Sequence, residues 1–310
     1  MTIICALPGN EALARRLAAI LHAPVGQVEA RQFPDGESYV RFACNLARSH
    51  VVLVCTLARP DSQVLRLLIA ADAARDLGAR TVTLVAPYLA YMRQDKRFHP
   101  GEAISSRTFA RLLSSSFDRI ITVSPHLHRY RVLSELYTIE AVALDAAPML
   151  VAWLRAHVDR PLLIGPDSES QQWVGSVAGL AGAPFVVGRK ARSGDRQVSV
   201  ELPVLDGYRH HNPIIIDDII SSGATLKMTA GKLREQGFSS VGCLAIHALL
   251  SDADRAALLD KVDLLVTSDS IENPHARIAL APLLASALAH APATGGAVNH
   301  RRAWAGPTHG

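Results

Sequence analysis

Short runs of β-branched and aliphatic residues alternate along the chain with longer stretches in which apolar residues recur at helical spacing. We expect strands at residues 2–7, 51–56, 81–86, 119–124, 139–144, 162–165, 185–187, 197–202, 214–216, 241–248 and 264–267, a last strand from 277, and two short strands flanking 33–37. We expect helices at residues 11–21, 62–77, 104–113, 146–157 and 172–180, one from 226 to the stop signal Gly237, and a last one ending at 289. Strands separated by helices predict parallel sheets joined by right-handed crossovers.

This rhythm occurs twice, although the two halves share no high-identity repeat. The sequence therefore predicts an α/β protein of two domains, each a mainly parallel sheet flanked by helices. We place the N-terminal domain at residues 1–144 and the C-terminal domain at 145–292, with the helix near 282–291 packing back on the first domain. Residues 293–310 contain Gly, Pro and His without apolar periodicity, and we expect a poorly ordered tail there.

One stretch, residues 213–226, combines a buried strand with groups suited to an anionic sugar. Ile214–Ile216 predict a strand of a parallel sheet, and Asp217 and Asp218 are expected to follow at its carboxyl end. The loop before the next helix consists of small residues, Ser221, Ser222, Gly223, Ala224 and Thr225. Free N–H groups at a helix N-terminus bind phosphate, and the carboxylates can hold sugar hydroxyls or a cation. The stretch fits a phosphorylated pentose; an ordinary loop after a strand-end acidic pair is the alternative.

Composition and charge narrow the class of protein. The chain has 310 residues, enough for about two domains, and its 49% apolar and 19% charged residues describe a well-cored globular protein. A net charge of +4 suits anionic small molecules and gives no case for nucleic acid or membrane partners. The four cysteines lack metal-ligand or disulfide spacing. No signal peptide is visible before the first predicted strand. The longest apolar stretch, Ile278–Ala289, is too short to span a bilayer. We expect a cytoplasmic protein.

Two loops that follow predicted strands are rich in cations. Residues 91–97 carry three basic side chains among seven residues, and residues 188–195 combine glycines with Arg189, Lys190 and Arg192. Each loop alone could be a solvated turn. Ligands of parallel sheets gather where strands end, so a phosphate contact is the other interpretation.

These blocks occur in the order typical of one family. Pro87-Tyr88, Tyr91, Arg93-Gln94-Asp95 and Ile104-Ser105-Ser106 resemble the PY…YxRQD…PIS block of ribose-phosphate pyrophosphokinases, which has no counterpart in phosphoribosyltransferases. Four further blocks resemble motifs of the same family, F-S-D-G-E at 33–37, D-L-H at 124–126, S-P-D at 165–167 and K-x-R at 190–192. The resemblance covers most of residues 3–290.

The resemblance implies two domains like type I phosphoribosyltransferases. It also implies transfer of the β,γ-diphosphoryl group of Mg-ATP to the C1 hydroxyl of ribose 5-phosphate, which yields 5-phosphoribosyl 1-diphosphate and AMP. The site residues implied are Lys190 and Arg192 for catalysis, Phe33, Asp35, Gly36, Glu37, Arg93 and Gln94 for ATP, Arg192, Asp217, Asp218 and residues 221–225 for ribose 5-phosphate, and His126 and Asp167 for Mg²⁺. In the family the loop at 33–37 serves a neighbouring subunit, so a homo-oligomer with a dimer as its minimum is implied as well.

Two departures from the family pattern bear on the function. Ser124-Pro125 stands in place of Asp-Leu, and Ser168-Glu169-Ser170 in place of a glycine pair after the S-P-D motif. Two alternatives therefore stay open beside the synthetase. One is a phosphoribosyltransferase, which the stretch at 213–226 allows equally well; the other is a catalytically silent paralogue that regulates an active synthetase.

Overall fold

The computed structural model describes residues 1–193 and 197–290, except for the side chains of 190–193 and 197–199. The strands of the first half are β1 (Thr2–Ala6), β2 (Val25–Gly26), β3 (Val28–Gln32), β4 (Ser38–Phe42), β5 (His50–Val54), β6 (Thr81–Ala86), β7 (Arg119–Val123) and β8 (Glu140–Leu144). Its helices are α1 (Glu11–Leu21), α2 (Pro60–Asp76) and α3 (Ser105–Ser116). All strands but β3 and β4 form one parallel sheet in the order β2-β1-β5-β6-β7-β8.

The second half follows the same plan. Its strands are β9 (Pro161–Gly165), β10 (Phe185–Val187), β11 (Arg189–Ser193), β12 (Gln197–Glu201), β13 (Asn212–Ile220), β14 (Gly242–Ala248), β15 (Leu264–Ser268) and β16 (Ala276–Ile278). The helices from residue 147 onward are α4 (Ala147–His157), α5 (Gln171–Ala181), α6 (Ala224–Glu235), α7 (Asp252–Leu259) and α8 (Ala281–Ala289). The parallel sheet runs β10-β9-β13-β14-β15-β16.

Each strand of one half has a counterpart in the other. Position by position, the order β2-β1-β5-β6-β7-β8 equals β10-β9-β13-β14-β15-β16. The antiparallel hairpins also correspond, since β3–β4 follows β2 and β11–β12 follows β10. The two halves are thus built on one plan, as the repeated rhythm of the sequence predicts.

Four helices form a layer between the two sheets. Helix α1 contacts α8, α4 contacts α5, and α8 also contacts β8 of the first sheet. One hydrophobic cluster joins apolar side chains from both halves, among them Ile4, Leu17, Leu150, Val177 and Leu284. The outer face of the first sheet is covered by α2 and α3, and that of the second by α6 and α7. Because the central cluster is shared, the halves are packed as one body, with the ends of their strands meeting at the boundary.

Local sequence explains where several helices begin and end. Proline occupies the first turn of α2, α4 and α8, where the missing N–H needs no partner. Helix α5 ends at Gly182, whose φ of 68° is the left-handed conformation that glycine adopts without strain. Asn10 precedes α1 as the capping pattern predicts, but its Oδ1 accepts from the amide of Thr56 instead of capping the helix.

Three expectations from the sequence are wrong in detail. Asp217 and Asp218 lie inside β13 and not beyond it, because pairing with β14 continues to Ile220. Helix α6 begins two residues early, at Ala224, since Gly223 turns the chain into it. Helix α7 was not expected; Ser251 caps it by accepting from the amide of Asp254.

Two sequence expectations concern residues that the structure does not describe. Gly194 and Asp195 of the basic loop, and the tail at 293–310, lie outside the described residues.

In the part of the chain that is described, no helix has the length and apolar character needed to cross a membrane. The four cysteines are free thiols.

Candidate active site

A cleft of about 730 Å³ lies where the two halves meet. Loops after β7 and β8 form one wall, and loops after β9 and β13 form the other. Ten of the predicted site residues line it, namely Arg93, His126, Asp167, Asp217, Asp218, Ser221, Ser222, Gly223, Ala224 and Thr225. The fold therefore brings together residues that are up to 132 positions apart in the chain (93 to 225).

The wall from the second half presents the N-terminus of α6. Gly223 is buried and has a φ of 67°, which directs the chain from β13 into the helix. The hydroxyl of Ser222 accepts a hydrogen bond of 3.4 Å from the amide of Ala224. A twelve-residue helix aimed at a cleft with hydroxyl side chains around its first turn is a suitable seat for a phosphate group.

The two adjacent carboxyl groups of β13 differ in their surroundings. Burial raises the pKa of Asp217 well above its usual range, and the negative charge of Asp218 raises it further. Burial also acts to raise the pKa of Asp218, but the hydrogen bond and electrostatic interaction with His126, together with a hydrogen bond to Asp217, outweigh it, so the pKa is lowered. The Nδ1 atom of His126 lies 2.8 Å from Oδ2 of Asp218. This contact joins the two walls of the cleft.

The turn that carries His126 has an unusual backbone. Ser124 has a φ of 38° although it is not glycine, and it directly precedes Pro125, which restricts it further. Its amide donates to Leu144 O at 2.7 Å, and its hydroxyl accepts from the amide of Ala146 at 3.1 Å. These two hydrogen bonds stabilise the turn, in which Ser124-Pro125 replaces the Asp-Leu pair of the family pattern.

The loop after β9 is a short turn that Asp167 organises. Its Oδ1 accepts from the amides of Glu169 and Ser170 at 3.0 and 3.3 Å, which caps the 3₁₀ turn Ser168–Ser170. Gly165 is required just before it, because a Cβ there would lie 2.6 Å from the hydroxyl oxygen of Ser170. The serine-rich sequence thus forms a compact turn beside the cleft.

Five predicted ATP residues do not line this cleft. Phe33, Asp35, Gly36 and Glu37 form the tip of the β3–β4 hairpin, where Phe33 is 40% exposed and the guanidinium of Arg31 stacks over its ring at 4.8 Å. Gln94 accepts a hydrogen bond from the hydroxyl of Ser105, which ties it to the start of α3.

The predicted catalytic pair lies on the second hairpin. The backbones of Lys190 and Arg192 belong to β11, opposite Val200 and Val198 of β12. Their side chains lie outside the described part of the structure, so their position relative to the cleft stays a prediction.

Three residues at or behind the cleft are not among the predicted site residues. His128 lies in the cleft with its ring 4.0 Å from that of His126, and Trp173 lines the wall formed by α5. His247 lies behind the cleft as a buried polar residue of β14. A lone histidine in the apolar run Gly242–Ala248 was the available signal.

Within the described residues, no three His, Cys, Asp or Glu side chains are grouped so as to hold a metal ion. Mg²⁺ commonly takes only one or two carboxylates, completing its shell with water and substrate phosphates. Asp217, whose ionised form is disfavoured by burial beside another carboxylate, would be stabilised by a cation. The donor set at the cleft therefore fits Mg²⁺ bound together with a phosphorylated substrate.

Comparisons with known proteins agree over nearly the whole chain. Residues 2–116 match the family model for the N-terminal domain of ribose phosphate pyrophosphokinase, and residues 133–281 match that of the phosphoribosyl transferase domain. The chain is 33% identical to a ribose-phosphate pyrophosphokinase of Methanopyrus kandleri, over 92% of this chain and 98% of the relative. It is 31% identical to that of Thermoplasma acidophilum, over 86% and 92%. Phosphoribosylpyrophosphate synthetase from Mycobacterium smegmatis superposes with a TM-score of 0.80 at 26% identity, over 93% of this chain and 97% of that one.

Proposed function

The chain belongs to the ribose-phosphate pyrophosphokinase family, and we propose that its cleft is where it transfers the β,γ-diphosphoryl group of ATP to ribose 5-phosphate. The products are 5-phosphoribosyl 1-diphosphate and AMP. The observation that carries this assignment is that the two walls of the cleft present different chemical groups to each other. A phosphate seat at Ser221–Thr225 faces Arg93 and His126 across the cleft, and the 2.8 Å contact between His126 and Asp218 joins the two.

Ribose 5-phosphate is assigned to the wall formed by the second half. Its phosphate lies at the N-terminus of α6, where backbone N–H groups and the hydroxyls of Ser221, Ser222 and Thr225 are available. Asp217 and Asp218 line the same wall, on the strand that ends just before Ser221. They are assigned to the ribose hydroxyls. This arrangement directs the C1 hydroxyl towards the middle of the cleft.

ATP is assigned to the opposite wall. Arg93 presents a planar, permanently charged guanidinium suited to phosphate oxygens. The C1 oxygen attacks the β-phosphorus, the bond from that phosphorus to the oxygen of the α-phosphate breaks, and AMP leaves with that oxygen while the hydroxyl proton is released. His126 and Asp167 would hold Mg²⁺ together with the phosphates, and the ion would supply charge neutralisation.

Lys190 and Arg192 are assigned to the transferred group. Negative charge spreads over the equatorial oxygens as the diphosphoryl group moves, and two cations on a hairpin beside the cleft stabilise it there. The hairpin begins next to Gly188, where a Cβ would lie 2.9 Å from Pro166 O, so β11 starts directly against the Asp167 loop.

The proposal extends to assembly and location. Phe33, Asp35, Gly36 and Glu37 lie on a hairpin away from the cleft of their own chain, which supports a homo-oligomer whose hairpins serve neighbouring ATP sites. The four free thiols agree with a reducing compartment such as the cytoplasm.

The test is formation of AMP and 5-phosphoribosyl 1-diphosphate from ATP, Mg²⁺ and ribose 5-phosphate, followed by ³¹P NMR. We expect turnover by the unaltered chain and loss of at least about 10²-fold in kcat for Lys190→Ala, as removal of a charge-stabilising group does elsewhere. Binding of both substrates without any AMP would instead indicate a silent paralogue. Pyrophosphate release from 5-phosphoribosyl 1-diphosphate and a free base would indicate a phosphoribosyltransferase.

A further inference from the structure

His247 joins the two halves of the chain behind the cleft. It lies on β14 of the second sheet and is 1% exposed. Its Nε2 is 3.1 Å from the carbonyl oxygen of Val123 and 3.3 Å from that of Ser124, both in the first half. The ring of Tyr88, also from the first half, packs edge-on against it with the ring centroids 5.1 Å apart. A single buried side chain thus crosses the boundary between the sheets.

The hydrogen bonds determine which nitrogen carries the proton. A carbonyl oxygen only accepts, so Nε2 must be the donor to Val123 and Ser124. Burial lowers the pKa of His247 to about 4, so the ring is neutral and Nδ1 is an acceptor. The hydroxyl of Ser270 lies 2.9 Å from Nδ1 and 3.0 Å from the carbonyl oxygen of Ile246, so both acceptors are within reach of its one proton. The orientation of the ring is therefore defined by Nε2, which donates to the carbonyl groups of the first half, with Nδ1 facing the Ser270 hydroxyl.

The network continues to the far side of the molecule. The hydroxyl of Thr56 donates to Ser270 O at 2.6 Å, and the amide of Thr56 donates to Asn10. A second cavity of about 250 Å³ lies here, lined by the loops after β1, β5, β15 and β16, which are the counterparts of the loops that line the cleft. An ion pair of 2.9 Å between Arg16 and Asp269 spans it. On this side the halves are tied together, whereas on the other side they open as the cleft.

The near end of the network is the turn that carries His126. With its amide and hydroxyl bonded within the first half, Ser124 has only its carbonyl left to link it to the second half. Ser124 is also the residue with a φ of 38° before Pro125, a conformation that needs support from its surroundings. Two residues later, His126 contacts Asp218.

We propose that His247 is a positioning residue for the transfer reaction. By holding the carbonyl groups of Val123 and Ser124, it fixes the turn that presents His126 against the strands that carry the ribose 5-phosphate seat. His247 touches neither substrate and acts through this turn. The proposal rests on the proposed function, in which ATP binds on the wall that carries this turn and ribose 5-phosphate binds at β13 and α6.

Two variants of His247 separate its two hydrogen bonds. In His247→Gln the side-chain amide nitrogen reaches about as far as Nε2, so it can still donate to the carbonyl groups. In His247→Asn the shorter side chain can accept from Ser270 but cannot reach them. We expect His247→Asn to lower kcat by about 10²-fold and to weaken Mg-ATP binding, since displacements of about 1 Å in positioned groups cost that much. His247→Gln should recover most of the rate.

The sugar side provides the internal control. We expect the KM and the calorimetric Kd for ribose 5-phosphate to change much less than those for Mg-ATP, because the phosphate seat at 221–225 lies on the second half and only Asp218 contacts the turn. Ser49→Ala is the stability control: the hydroxyl of Ser49 donates to Leu46 O at 2.6 Å in a buried site of the first half. Its thermal midpoint should fall while kcat stays at the wild-type value.

Three results would overturn the proposal. The first is an equal loss of kcat in the Asn and Gln variants. The second is an equal weakening of the binding of Mg-ATP and ribose 5-phosphate. The third is a kcat that falls together with the thermal midpoint in all variants, including Ser49→Ala. Should His247→Asn fail to fold, the ¹⁵N spectrum of the unaltered chain decides, since a ring protonated on Nδ1 at neutral pH contradicts the hydrogen-bond scheme. Substrate binding is measured separately from turnover. An inactive wild type would therefore reject the proposed function, and the effects of the variants on Mg-ATP binding and on ribose 5-phosphate binding could still be compared.

Discussion

At the scale of single residues, environment gives chemically similar groups opposite properties. Asp217 and Asp218 are neighbours on one strand, yet the pKa of the first is raised by burial and that of the second is lowered through His126. His126 and His247 differ in their exposure. The first lines the cleft, and the second is enclosed and neutral. Residue type alone does not separate a ligand from a structural group here.

The buried histidine predicts how stability depends on pH. The pKa of His247 is about 4 in the folded chain, below the value of about 6.5 for an unfolded histidine. The unfolded state therefore binds more protons, so the stabilisation is complete above about pH 6.5 and is lost as the pH falls towards 4. At about 1.4 kcal/mol per pH unit the loss reaches about 3 kcal/mol.

Urea unfolding of the wild type and of His247→Gln at pH 7 and pH 4.5 measures this effect. The difference in unfolding free energy between the two pH values should be larger for the wild type, because glutamine does not titrate. Identical pH dependence in both proteins would contradict a neutral, buried ring.

At the scale of elements, the short connections determine where side chains of the cleft lie. β9 ends at Gly165, and the Asp167 turn folds back so closely that the glycine has no room for a methyl group. β13 runs two residues past Asp218, which places both carboxyl groups on a paired strand and not on a loop. The seat, by contrast, depends on Gly223 and on the start of α6.

Gly165→Ala tests the close packing of the first turn. A Cβ would meet Ser170 Oγ at 2.6 Å and Val174 at 3.1 Å, so we expect a loss of about 1–3 kcal/mol in unfolding free energy and reduced kcat as the Asp167 turn shifts. Gly179→Ala in α5 is the matched control, since no atom lies within 4 Å of its Cβ. It should leave kcat unchanged and raise stability by about 0.5–1 kcal/mol. Similar unfolding midpoints for the two variants would refute the packing argument.

Thr225→Val tests the seat. Thr225 lines the cleft at the first turn of α6, and loss of a hydrogen bond to a charged group costs about 1.5–3 kcal/mol. We therefore expect the KM for ribose 5-phosphate to rise by about 10- to 100-fold, with the KM for ATP little changed. Thr225→Ser keeps the hydroxyl and should remain near the wild type in a steady-state assay. If the serine variant is as impaired as the valine variant, the hydroxyl is not the contact.

At the scale of the whole molecule, the two halves share a plan but not a role. Both have the same strand order and a hairpin at the same place. Only one of the two equivalent clefts is large: 730 Å³ against 250 Å³, with the Arg16–Asp269 ion pair spanning the smaller one. A shared core between the sheets keeps this asymmetry fixed.

Mixing two defective chains tests whether hairpins are shared between subunits. Phe33→Ala impairs the β3–β4 hairpin and Lys190→Ala impairs the other, so each variant alone should be weakly active. Co-expressed in equal amounts, half of the dimers are mixed and each contains one intact site. Activity should then rise to about a quarter of the wild-type value. Activity no higher than the mean of the parents would place the hairpin in its own subunit's site or outside any site.

Much of the fold followed from local pattern. The predicted strands and helices lie within a few residues of the observed ones, because apolar periodicity reports which face of each element is buried. The resemblance to ribose-phosphate pyrophosphokinases, the α/β fold and the enzyme function are confirmed by the comparisons. Helix α7 was missed since its eight residues bury only Leu258 and give little periodicity.

What the sequence determined by itself was the set of elements and the chemistry of its loops, because both depend on residues close together in the chain. Only the tertiary structure decided which loops meet. It brought His126 to Asp218, 92 residues away, and it left Phe33 and Gln94 outside the cleft. It also showed that the strand order is the same in both halves and that His247 links them. Strand order and a buried hydrogen bond between halves depend on packing over long separations, which no local pattern records.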